Sequence, residues 1–211
     1  MSKKIIEGYV NLTGYYLEEL PDFFKDVSVE GEFYCNKNQL TTLEGSPQSV
    51  GDHFICTRNR LISLKGAPQR VDGDFLCGDN RLTSLEGVPL IIGGDFSCIR
   101  NQLTTLEGIS RSTIGGGFFC GGNQLTSLEG SPPDINESFN CGSNRLTSLK
   151  GGPGYVGGTF ICSFNKLTSL DGAPRVVDGD FYCTNNDGVR FTEKQVRAVC
   201  RVGGEVYLRK L

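Results

Sequence analysis

Eight of the nine cysteines recur on a fixed interval: Cys35, Cys56, Cys77, Cys98, Cys120, Cys141, Cys162 and Cys183 stand 21 residues apart, with one step of 22. A thiol can ligate zinc, form half a disulfide or attack as a nucleophile, and each use makes its own demand on spacing. Zinc needs ligands that converge in one small volume, as C-x2-4-C pairs or with histidine. No such pair occurs, and His53 is the only histidine. Adjacent strands bring Cα atoms close enough for disulfides, but the expected compartment keeps thiols reduced. A nucleophilic cysteine needs a base beside it and a lowered pKa, whereas this ladder falls on an apolar face. The cysteines are therefore read as small hydrophobes placed where leucine would crowd. Cys200, outside the ladder, is read as a core residue of a C-terminal cap.

Asparagines keep step with the thiols at Asn38, Asn59, Asn80, Asn101, Asn123, Asn144, Asn165 and Asn186. Calcium loops need several converging carboxylates and a turn glycine, and the aspartates here are scattered. The amide is better placed to bond backbone groups of the adjoining turn, where the chain bends inward and its polar atoms are buried. Cofactor and metal sites are thus expected to be none.

The elements that carry these residues follow from one motif, V-x-G-x-F-x-C-x-x-N-x-L-T-x-L-x-G-x-P. Val50, Phe54 and Cys56 lie at even offsets, so on one extended strand they point to one side. Leucines such as Leu61 and Leu64 re-enter the core, the following glycine marks a tight backbone position, and the proline keeps the return path non-helical. Ser110 replaces that proline once. One repeat cannot bury its own apolar edge, but stacked repeats can. The expectation is a right-handed solenoid with a parallel sheet along its concave side, a mostly extended, irregular convex side, and a short C-terminal cap helix.

Residues 1–28 are read as an N-terminal cap with a degenerate first repeat (Ile6, Gly8, Val10, Leu12, Leu17, Leu20) and a helical turn near Pro21–Phe24. Residues 29–190 are repeats of about 21 residues. Residues 191–211 are a cap in which TEKQVRAVC forms a helix with Thr192 as N-cap, followed by a last strand at Val202–Leu208. Ten strands spaced ~4.8 Å apart would span roughly 43 Å.

The repeat resembles the leucine-rich repeat, L-x-x-L-x-L-x-x-N-x-L, with Phe, Cys and Leu at the apolar positions around the asparagine. It departs in that Val29, Val50 and Val71 stand four residues before the Phe, not three. GDFxCxxNxLTSLEGxP is also similar to small leucine-rich repeat proteins of bacteria and tailed phages. That resemblance implies a phage-encoded protein that binds and inhibits a host protein such as a defence enzyme.

On the strand, residues between the inward positions face outward. One outward column contains Tyr34, Ile55, Leu76, Phe119, Ile161 and Tyr182, with Ser97 and Asn140 among them. The column before the Phe holds His53, Asp74 and Asp95; the column after the Cys holds Ile99; Arg58 and Arg100 lie just beyond. An apolar stripe of this kind marks an interaction site, with aromatic side chains as anchors.

The formal net charge of −3 gives no nucleic-acid footprint, and no segment is apolar and long enough to span a bilayer. MSKKIIEGYVNL lacks the apolar run of a signal peptide, so a cytoplasmic protein is expected, in the host cytoplasm if phage-encoded. No nucleophile–base set, carboxylate pair or phosphate loop appears. In leucine-rich-repeat ubiquitin ligases secreted by bacteria the catalytic Cys belongs to a separate helical domain, which Cys200 does not match. The reading is a non-enzymatic scaffold, monomeric, with a protein partner and no nucleic-acid or membrane partner; the alternative is a structural or assembly protein, self-associating or part of a virion.

Overall fold

A computed structural model describes residues 4–186 and 189–208. The sequence-derived segments 1–28, 29–190 and 191–211 each take in a few residues outside that range. The chain winds as a right-handed β-solenoid with parallel sheets and a single helix near its C-terminus. Each turn carries two short strands joined by a corner. The second holds the motif Phe, as at Phe54–Ile55 and Phe75–Leu76. These strands, with Val10–Asn11 before them and Val206–Tyr207 after, make one ten-stranded parallel sheet. The register is one turn per strand: Phe54 pairs with Phe75 and Ile55 with Leu76.

One expectation is corrected by this arrangement. Val50 and Phe54 do not share a strand: Ser49–Val50 and Phe54–Ile55 are separate, with a bend at Gly51 and Asp52 between them. A second set of strands stands beside the main sheet, while the return path to the next Val strand, as over residues 56–69, carries no strand. The Val strands pair with one another into a six-stranded parallel sheet, from Lys4–Ile6 to Thr113–Ile114, and a four-stranded one, from Asp134–Ile135 to Arg201–Val202. Pro133 stands at the break between the two. At the equivalent position of several other turns the backbone N–H bonds the turn before, as Gln69 N does to Gln48 O at 3.1 Å and Leu90 N to Gln69 O at 3.0 Å. Proline has no N–H to give. The Asn136 side chain spans the gap instead, its Nδ2 donating to Gly115 O at 3.2 Å.

Inside the coil, the side chains form continuous ladders. Phe33, Phe54, Phe75, Phe96, Phe118, Phe139, Phe160 and Phe181 are all fully buried, with successive ring centroids 5.1–6.0 Å apart. Full burial of each ring contributes roughly 1.5–3 kcal/mol, and ring contacts of this kind add about 0.5–1.5 kcal/mol. A 3-10 turn at Asp22–Asp26 lays Phe24 edge-on against Phe33 at 5.3 Å and so closes the first end of the ladder. Helix α1, Glu193–Val199, begins at a reciprocal Thr192–Gln195 capping box, which satisfies two otherwise free donors. It buries Val196, and Arg197 Nη1 donates to Val202 O at 2.8 Å, holding the helix to the last coil.

The asparagine ladder completes the interior turns. Asn80 Nδ2 donates to Cys56 O and Cys77 O, both at 3.1 Å, while its Oδ1 accepts from Leu61 N at 3.1 Å. Asn59, Asn101, Asn123, Asn144 and Asn165 repeat this pattern. Each amide therefore ties its own turn to the one before. An unmade bond to a buried group costs about 1–3 kcal/mol. Asn80→Ala should therefore cost about 3–5 kcal/mol in urea unfolding. Asn186→Ala, where the equivalent contacts stretch to 3.4 and 3.5 Å, should cost less than half of that. Equal costs at the two sites would contradict this account.

Candidate protein-interaction face

The outward face of the ten-stranded sheet has a fixed frame and a variable surface. The frame is the buried Phe and Cys on its inner side. Between them, Tyr34, Ile55, Leu76, Ser97, Phe119, Asn140, Ile161 and Tyr182 point outward in one column, paired strand to strand. They were expected to stand in water, but every one is half-buried. Side chains one strand spacing apart shield one another. The column runs one place further than the sequence reading took it: Tyr207 stacks on Tyr182 with centroids 4.3 Å apart.

The column before the Phe is largely committed to the coil. Asp74 Oδ1 accepts the backbone N–H of Asp95 at 2.8 Å, Asp95 Oδ1 that of Gly117 at 2.6 Å, and Asp180 Oδ1 that of Glu205 at 2.9 Å. Ser138 Oγ does the same for Thr159. The motif glycine makes room for the carboxylate: a Cβ on Gly94 would lie 2.2 Å from Asp74 Oδ1. The Gly-Asp pair of the repeat is thus a lock between neighbouring turns. His53 works in the same way, its Nδ1 accepting from Asp74 N at 2.9 Å, with Nε2 3.3 Å from Asp52 Oδ1. Accepting at Nδ1 places the proton on Nε2.

Just past the strand, eight successive turns contain a left-handed residue. Lys37, Arg58, Asp79, Arg100, Gly122, Ser143, Phe164 and Asn185 occupy it with φ between 51° and 71°. Arg58 and Arg100 are therefore exposed at the rim of the sheet rather than on it. Ile99 stands half-buried one residue before Arg100.

Beside Ile99 the face opens into a notch of about 440 Å³. Its floor is the small residues Gly121, Gly122, Gly142 and Ser143, with Asn140 among them; Ile99 and Arg100 bound one side, and Ile161, Phe164 and Tyr182 the other. A Cβ on Gly142 would come within 3.1 Å of Asn140 Oδ1, so the floor is already at contact distance. Phe164 is the residue that sequence reasoning missed. It is 56 % exposed, at φ 57°. A bulky side chain in the left-handed region is uncommon and costs conformational energy. The signal was legible: an aromatic stands between Cys162 and Asn165, where other turns place charged, polar or glycine residues.

The thiols lie inside, away from this face. All nine are free and buried. Those from Cys56 to Cys162 direct Sγ at a carbonyl of the next turn, at 3.3–3.6 Å. Burial pushes the pKa values of Cys35, Cys56, Cys77, Cys98, Cys141 and Cys162 well up, that of Cys120 to about 12 and that of Cys200 to about 11. Among the described residues no group of three His, Cys, Asp or Glu is placed to hold a metal ion, and no helix is long and apolar enough to cross a membrane.

Fold and face together define a parallel-sheet β-solenoid repeat protein. No family model and no curated protein matches the chain.

The raised thiol values make stability depend on alkaline pH. The folded values lie above the unfolded one of about 8.5. Their contribution is thus fully present below about pH 8.5 and is lost as pH rises toward the folded values. Each thiol removes about 1.4 kcal/mol per pH unit over that range, and eight act together. Since a domain holds only about 5–15 kcal/mol, the protein should unfold cooperatively near pH 10. A thiol reagent at pH 8 should find almost no reactive cysteine until denaturant is added. A native circular-dichroism spectrum at pH 11, or several fast thiols at pH 8, would contradict the buried ladder.

Proposed function

We propose that this chain is a non-catalytic, protein-binding scaffold of the leucine-rich-repeat kind, and that the outward face of its ten-stranded sheet receives the partner. The observation that carries the reading is the notch. A glycine floor is flanked by Ile161, Phe164 and Tyr182 on one side and Ile99 on the other, a shape that takes a protruding side chain of another protein. Aromatic residues around a small apolar depression are the composition of binding hot spots. Phe164 supports the reading from a second direction, because an exposed aromatic in a left-handed turn does not serve the coil's own stability.

The column from Tyr34 to Tyr207 extends the surface on both sides of the notch, so the partner is a macromolecule rather than a small molecule, which would call for a deeper pocket. The resemblance of the repeat to small phage and bacterial leucine-rich repeat proteins makes that partner a host protein, inhibited on binding. That step rests on resemblance alone.

The test is affinity capture from a bacterial host lysate, followed by mass spectrometry. The wild-type chain should retain a specific protein that Phe119→Asp and Ile161→Asp lose, with circular dichroism unchanged. Phe164→Gly should weaken capture while raising stability by about 1 kcal/mol, because glycine relieves the left-handed position. Capture that survives Ile161→Asp, or a Phe164→Gly variant that is less stable, would remove the argument for this face.

A further inference from the structure

We infer that the rim of the sheet beyond the strands is a docking track for an extended acidic segment of a protein partner, with a large apolar side chain of that segment seated in the notch. The inference rests on the reading of this face as a protein-binding surface and adds the chemistry of the partner.

Lys37, Arg58 and Arg100 occupy the left-handed column, and Arg60, Arg81, Arg145 and Lys166 follow the ladder asparagines; all seven are exposed. Their backbones are held in rows. Arg60 N donates to Leu40 O at 2.8 Å, Arg81 N to Leu61 O, Arg145 N to Leu125 O and Lys166 N to Leu146 O, each at 2.9 Å. The cations are therefore rooted on a rigid edge. Among the described residues only Arg100 of the seven has an ionic neighbour, Asp79 at 3.6 Å. Elsewhere some cations are paired, as Lys65 is with Glu86, Arg70 with Asp72 and Arg201 with Asp178, while others such as Lys150, Arg175 and Lys194 stand on different edges of the coil. In a chain of net charge −3, a row of unpaired cations on one edge is a local arrangement, not a reflection of composition.

The opposite rim is acidic, with Glu32, Asp52, Asp74, Asp95, Asp180 and Glu205 along it. It stands about five extended residues away, roughly 16 Å. A broad polyanion such as a nucleic-acid duplex would overlap that rim and be repelled. A single strand of nucleic acid would want stacking platforms between the cations, but the exposed aromatics of this edge, Tyr16 and Phe164, stand at its two ends. A peptide strand is narrow enough to lie on the basic edge alone. The cations occupy six successive gaps of ~4.8 Å, roughly 29 Å, which an extended segment of about nine residues spans. Their row is interrupted at one turn, where Gly122 and Gln124 stand in the two columns. That turn is at the notch, so the complementary segment is acidic on both sides of one apolar residue.

Fluorescence anisotropy with a labelled ten-residue Asp/Glu peptide carrying a central Leu tests this directly. Binding should be seen at about 50 mM salt and should weaken strongly at about 300 mM. Arg58→Glu/Arg81→Glu/Arg145→Glu should weaken it at least about tenfold, and the corresponding triple Gln variant by a smaller factor. The equal charge change at Lys150→Glu/Arg175→Glu/Lys194→Glu should leave it within about twofold. A central Gly should weaken the peptide, and Ile161→Asp should remove that difference. No binding, equal losses in the two Glu triples, or tighter binding of a ten-nucleotide oligo-dT would overturn the inference. If the natural partner is lost with Ile161→Asp but kept by the Arg58/Arg81/Arg145 triple variants, the track fails while the scaffold reading stands. If the peptide binds as expected but capture survives Ile161→Asp, the scaffold reading is the one that fails.

Discussion

A coil of about 21 residues must bring its backbone back through its own interior once per turn, where peptide groups have no water to bond. The ladder asparagine resolves that constraint. One amide supplies donors to two carbonyls, on its own turn and the preceding one, and an acceptor to a leucine N–H of the preceding turn, as at Asn80. The inner turn can then be dry, and the Phe, Cys and Leu ladders can close around it without leaving buried polar groups unmade. Everything on the surface inherits its position from this: the strand register, the row of left-handed residues and the regular rise of the outward columns.

The periodic columns were legible because period and residue type changed together. Phe, Cys, Asn and the paired leucines each recur at one offset, and they proved buried except for the half-buried Asn186. Where the chain turns a corner was not legible. Val50 and Phe54 differ by four positions, so both point inward whether the strand runs straight or bends at Gly51 and Asp52; side-chain alternation does not separate the two. The second sheet was hidden for the same reason.

The outward face was legible in its column but not in its shape. Glycines at 121 and 142 appear in sequence as missing side chains. In the coil they sit side by side, and their absence of bulk becomes the notch floor. Asp74, Asp95 and His53 looked like a recognition surface because they are charged and outward. In the structure each also accepts a backbone N–H of the next turn, so their charge is partly spent on the coil. Basic side chains, which mix with acidic ones along the sequence, gather mostly on one rim once the turns are stacked, with Asp79 as an acidic member of that rim.

The central claim is that inward turns are closed by side-chain amides and not by water, and amide hydrogen exchange tests it most directly. The N–H groups of Leu40, Leu61, Leu82, Leu103, Leu125 and Leu146, each bonded to an asparagine Oδ1 of the following turn, should exchange as slowly as the N–H groups of Cys56 and Cys77, which bond Leu76 O and Ser97 O just past the strands. Exchange of those leucine amides at the rate of exposed turns, while the strands stay protected, would contradict the account.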